Sequence, residues 1–175
     1  TLRWPAHVHH SMHNVCQDDR HLPITTWADS IAPSEDRGYI AFSSSQDLRQ
    51  AIVFDAGTYD TPILAGVPVN MAQGAGTTEG DAVGDRVAQD TDAFSTTYAE
   101  YRHRIENEIE PYGNGRRVVV VPINNGPPNF VVAGFASFFL YQTHDEYSSV
   151  TGNTPICAEY IGTWVQGSPT AGGGP

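Results

Sequence analysis

The sequence predicts one α+β domain, mostly β, in which a C-terminal Val-rich hairpin and a closing strand pack under a single amphipathic helix. Three observations predict it. Arg117-Val-Val-Val-Val-Pro-Ile123 and Phe130 to Gln142 are strand-length apolar runs, separated by the turn-forming Asn124-Asn-Gly-Pro-Pro-Asn129. Phe94, Tyr98, Tyr101, Ile105 and Ile109 recur at three- and four-residue steps, the period of a helix face. The length, 175 residues, suits one domain that buries roughly 70% of its unfolded surface.

Taken in order, residues 1–21 are a biased arm holding five of the seven histidines, and 22–166 are the domain. Tyr39-Ile-Ala-Phe42 reads as a short strand, and Asp47 to Ile52 as one or two helical turns. Ile63 to Val69 is β-like but broken by Pro62 and Pro68, which places it at an edge. Gln73 to Asp85, rich in Gly, Thr and Asp, reads as a loop. Val83 and Val87 begin an apolar stripe, Asp92 is a suitable N-cap, and Pro111-Tyr-Gly-Asn-Gly stops the helix. Glu106, Glu108 and Glu110 crowd that helix's C-terminus, where the macrodipole disfavours negative charge, so its last turn should fray. Continuous Val from Val118 predicts a strand buried on both faces, with Gly134 opposite as a bulge or close-approach point. Tyr160 to Val165 is the closing strand, and 167–175 is a Gly/Pro-rich tail.

Charge narrows the function. Twenty acidic residues face nine basic ones, all arginine, for a net charge of -11. Without lysine there is no Schiff base and no P-loop lysine. The acidity argues against nucleic acid and against anionic membranes. The longest apolar run, Phe130 to Tyr141, is about half a membrane span. Thr1-Leu-Arg-Trp-Pro opens without a leader-like pattern, so we expect a mature product or soluble fragment. Cys16 and Cys157 are expected to form one disulfide, worth about 5 kcal/mol in the loop-entropy model, and to place the chain outside the reducing cytosol.

Chemistry-bearing motifs are sparse. His7, His9, His10 and His13 sit close enough in sequence to hold a metal ion or a haem. They lack a His-Glu-x-x-His pattern, so a polar arm is the stronger reading. Thr1 fits an N-terminal nucleophile poorly, because no lysine is available beside it. Gly74-Ala-Gly-Thr-Thr-Glu-Gly80 lacks the lysine of a phosphate loop, and Asp81, Asp85, Asp90 and Asp92 do not have EF-hand spacing. No Gly-x-Ser-x-Gly elbow occurs, and no Ser/His/Asp triad is nominated, which leaves a secreted hydrolase as a third reading. Trp4, Phe138, Tyr141 and Trp164 are candidate interface aromatics.

The blocks Arg117-Val-Val-Val-Val-Pro-Ile, Val132-Ala-Gly-Phe-Ala-Ser-Phe-Phe-Leu and Glu159-Tyr-Ile-Gly-Thr-Trp-Val occur in that order. Together they resemble the soluble end of TadE/TadG-like Flp pilus-assembly proteins. Leu22-Pro-Ile and Val67-Pro-Val69 with Gly74 resemble earlier landmarks of that family. The resemblance implies a non-enzymatic, extracellular or cell-envelope protein without catalytic residues, with other pilus or envelope assembly proteins as partners. It also implies an N-terminal membrane helix, which these residues do not include. We expect self-assembly into an extracellular polymer, with strand addition at a sheet edge as one route.

Overall fold

The computed structural model describes residues 21–23, 40–55, 63–70, 77–124, 129–149 and 156–164. Trp4, His7, His9, His10, His13, Cys16 and the 167–175 tail lie outside the described residues. Four strands and four helices are present among those described. In order they are β1 (His21–Pro23), α1 (Ser45–Phe54), α2 (Thr77–Ala88), α3 (Tyr98–Glu106), β2 (Val118–Asn124), β3 (Val132–Phe139), α4 (His144–Ser148) and β4 (Cys157–Trp164). The α+β class stands; among the described residues helices are as numerous as strands, which does not support a mostly β chain.

The sheet is antiparallel with strand order β1-β4-β3-β2. The hairpin β2–β3 is aligned by Val118↔Phe139 through Ile123↔Gly134. Asn124 then pairs with Val132, so Ala133 is an extra residue beside Gly134. The irregularity expected at Gly134 is therefore a bulge and not a close approach, because a Cβ there would meet nothing within 4 Å. The closing strand is longer than the sequence predicts and begins at Cys157. Its partner β1 lies where the sequence analysis placed only the boundary between arm and domain. Of the run Tyr39 to Phe42, Ile40 forms only an isolated bridge, and Pro68 likewise bridges Val131.

Two helical expectations are corrected. Gln73 to Asp85 is not all loop, because α2 occupies it from Thr77 onward. Gly80 and Gly84 lower its intrinsic propensity, but Ala82 and Val83 are buried and tertiary packing overrides that preference. Nor does α3 begin at Asp92. The carboxylates of Asp90 and Asp92 bind nearby backbone N–H groups, at Asp92 N (2.9 Å), Phe94 N (2.9 Å) and Ser95 N (3.1 Å). Such local bonds compete with helix formation. Thr97 is the real N-cap, accepting from Glu100 N at 3.2 Å. Phe94 and Ile109 thus lie outside the helix, and the apparent stripe mixes helical and turn residues. The helix stops at Glu106, leaving Glu108 and Glu110 beyond its end, as its dipole favours.

One sheet face carries Val119, Val121, Ile123, Ala136, Phe138 and Ala158. It packs with Ile52 of α1, Val83 and Val87 of α2 and Tyr147 of α4. Phe138 is thus a core residue, edge-on to Tyr160 with centroids 5.7 Å apart, and not an interface residue. On the opposite face Phe139 meets Tyr98 (6.1 Å) and Tyr101 (5.0 Å) of α3. Glu159 on that face accepts from Tyr98 N at 2.7 Å, at the start of the helix. Beyond α3, Val120 is 46% exposed, so β2 is not buried on both faces.

Arg117 joins these layers and is 3% exposed. Its Nε donates to Leu140 O (2.7 Å), and its Nη1 donates to Asp92 O (3.1 Å) and Ser95 O (2.8 Å). Its guanidinium lies 4.6 Å from the Phe139 ring centroid. Burial pulls its pKa down, and the charges of Asp90 and Asp92 oppose that. Tyr101 closes the network, donating to Asp90 Oδ2 (2.7 Å) and accepting from Gly115 N (2.8 Å). A Cβ at Gly113 would collide with the Tyr101 ring. Arg86 of α2 does similar work at the start of β2. It bonds Arg116 O (2.8 Å), Ile52 O (2.9 Å) and the carboxylate of Asp55 (2.6 Å), the left-handed cap of α1.

Arg117→Met should cost about 3 kcal/mol or more, because three carbonyls and the Asp90/Asp92 pair lose their cation. Tyr101→Phe should cost about 1–2 kcal/mol. Urea unfolding of the two variants checks the order. Burial raises the pKa of Asp92, but bonds from Ser95 Oγ and the Phe94 and Ser95 N–H groups, with Arg104 nearby, outweigh it and hold the carboxyl low. Its contribution is therefore full above the ordinary value of 3.8 and lost as pH falls through the lower folded-state value. Acid titration of Asp92→Asn should show a shallower loss of stability on the acid side than the parent.

Candidate functional site

The histidine cluster and Trp4 fall outside the described residues, so the described site with most chemical potential is the junction of α1, α2 and α4. Thr143 is the N-cap of α4 and forms a capping box with Glu146: Thr143 Oγ1 accepts from Glu146 N, and Glu146 Oε2 accepts from Thr143 N at 2.7 Å. This fixes His144 and Ser148 one turn apart, facing α2. His144 Nδ1 is 2.8 Å from Asp145 Oδ1. Its Nε2 is 3.4 Å from Ser148 Oγ and 3.5 Å from Asp85 Oδ1 of α2. Asp85 in turn pairs with Arg49 of α1.

Ser, His and Asp in this order have the connectivity of a nucleophile triad. The surroundings give the cluster another role. Ser148 Oγ fills the space where a Cβ at Gly84 would stand, and that Cβ would also lie 2.8 Å from His144 O. The hydroxyl is thus packed against the α2 backbone instead of directed at an open space. Asp85 and Ser148 compete for one ring nitrogen. The orienting Asp145 side chain is 97% exposed, where water screens it. The geometry is that of an electrostatic clasp between helices. Sequence reasoning missed the clasp, although Thr143-x-x-Glu146 before Tyr147 is a readable helix-start signature.

The remaining expected site residues are dispersed. Phe138 is in the core, and Tyr141 is half-buried. The backbone of Trp164 pairs with Phe135 at the end of β4. Cys157 is disulfide-bonded, and the only other cysteine in the sequence, Cys16, lies outside the described residues. Asp81, Asp85, Asp90 and Asp92 do not converge, and no metal-holding group of His, Cys, Asp and Glu occurs among the described residues. No described helix is long and apolar enough to cross a membrane.

β2 is an edge strand of the described sheet, and strand addition is expected at a sheet edge, no particular one being specified by the sequence. Val118 N already donates to Gly115 O at 3.1 Å, and Val118 O lies 3.5 Å from Arg86 Nη2. Strand alternation then directs Val120 and Pro122 outward as well. Pro122 has no N–H to give, so Val120 alone offers a full donor and acceptor pair. This edge is built against pairing. On this strand Val120, 46% exposed, presents apolar surface to another molecule.

No protein-family model, curated protein or solved structure matches the chain.

Asp145 raises the pKa of His144, burial opposes the rise, and Asp85 adds to it. The clasp is therefore complete below the ordinary histidine value of 6.5 and is lost as pH rises through the higher folded-state value. An NMR titration should place the His144 midpoint above 6.5, and Asp145→Asn should move it down. An unchanged midpoint in that variant would remove Asp145 from the clasp.

Proposed function

We propose that this chain is a non-enzymatic structural or assembly protein of the bacterial cell envelope or surface, related to Flp pilus assembly, that self-associates. The observation that carries the reading is the coincidence of sequence blocks and architecture. The blocks Arg117–Ile123, Val132–Leu140 and Glu159–Val165 coincide with the adjacent strands β2, β3 and β4, apart from a residue or so at their ends. They are adjacent parts of one sheet, which supports reading the three blocks together as one pattern. A bonded Cys157 fits an oxidising compartment, and we propose Cys16 as its partner.

Self-association in this reading uses the sheet face around Val120 rather than strand pairing at β2. A net charge of -11 opposes the approach of two copies, and salt screens that repulsion. Sedimentation of the purified chain should therefore show larger species as protein concentration and salt rise, and Val120→Glu should return them to monomer. Monomers under all conditions, confirmed by electron microscopy, would defeat self-assembly. Non-reducing peptide mapping that failed to join Cys16 to Cys157 would remove the support from the disulfide.

A further inference from the structure

We propose a second docking surface, at the C-terminal end of α3, for a cationic protein segment carrying an apolar anchor. Phe94 is 65% exposed, Ile109 40% and Tyr112 38%. Arg104 holds them together. Its guanidinium carbon lies 5.8 Å from the Phe94 ring centroid. Its Nε and Nη2 donate to Pro111 O at 3.1 and 2.9 Å, and its backbone carbonyl accepts from Ile109 N at 2.9 Å. Thr91 Oγ1 donates to Tyr112 O, tying the turn before α3 to the loop after it. Two aromatics and an aliphatic side chain on a preorganised frame have the composition of a binding hot spot.

The rim selects the occupant. Glu106, Glu108 and Glu110 are exposed and surround the helix end that already carries partial negative charge. Glu106 pairs with Arg102, whereas Glu108 and Glu110 make no ion pair among the described residues. Glu108 also holds a left-handed backbone, φ 53°, which a residue with a Cβ adopts at a cost. Acidic side chains in unfavourable electrostatics and a strained conformation, beside exposed aromatics, mark a surface shaped for a partner instead of for stability. At this end of α3 the exposed Glu106, Glu108 and Glu110 repel acidic surfaces, which disfavours a second copy docking here and an anionic membrane alike. A segment with Arg or Lys beside a large apolar residue satisfies both parts. This surface is separate from the Val120 face and does not depend on the envelope reading.

The test is an NMR titration of the 15N-labelled chain with a synthetic peptide of alternating Lys and Leu, with Glu/Leu and Lys/Ser peptides as comparisons. The Lys/Leu peptide should shift amides of Phe94 and of residues 104–112, more weakly as salt rises. A double variant, Phe94→Ser with Ile109→Ser, and the pair Glu108→Gln with Glu110→Gln should each weaken binding about tenfold or more, while Asp145→Asn leaves it unchanged. Circular dichroism of each variant checks that it is folded. The proposal is overturned if shifts spread over the whole acidic surface, or if the Lys/Ser peptide binds equally well. It is also overturned if Asp145→Asn weakens binding as much as the rim changes, or if the same amides shift with protein concentration alone, which would make the occupant a second copy.

Discussion

The fold depends on one buried cation. Arg117 lies where the turn before α3, the start of β2 and the end of β3 converge, and it satisfies backbone carbonyls from two of them. A guanidinium suits this position because its planar fork can bond several acceptors while its face lies on Phe139. Burying a charge is costly unless acceptors and counter-charges surround it. Asp90 and Asp92 supply the counter-charge, and the same carboxylates shape the turn that brings them there. Local turn chemistry, tertiary packing and electrostatics thus meet at one residue.

This arrangement leaves the sheet with unequal faces. One is sealed by α1, α2 and α4. The other is covered by α3 near Phe139 and open around Val120. Arg86 and Pro122 blunt the β2 edge, which directs association away from strand pairing and toward side-chain surfaces. The loop beyond α3 is held on its inner side by Arg104, Thr91 and Tyr101, while Ile109 and Tyr112 stay exposed.

Much of the sheet was legible in the sequence because a Val run, a turn signal and a second apolar run are local features. The helix after Asp92 was legible in kind but misplaced. Its period continued through Phe94 and Ile109 by coincidence, and the hydrogen-bonding competition from Asp90 and Asp92 is invisible to a periodicity count. α2 was hidden because Gly80 and Gly84 weaken local propensity, while the close approach that Gly84 permits to α4 exists only in the folded chain. The importance of Arg117 was equally non-local, since Asp90 and Asp92 precede it by more than twenty residues. The clasp at His144 needed α1 and α2 in place before its partners met.

Native-state hydrogen exchange tests the central claim, that the Arg117 centre makes the turn before α3 and the hairpin one cooperative unit. The account predicts that the amides of Ser95, Gly115 and Leu140 exchange with the same opening free energy as those in the middle of β3. Early exchange at Ser95 and Gly115, with β3 still protected, would contradict it.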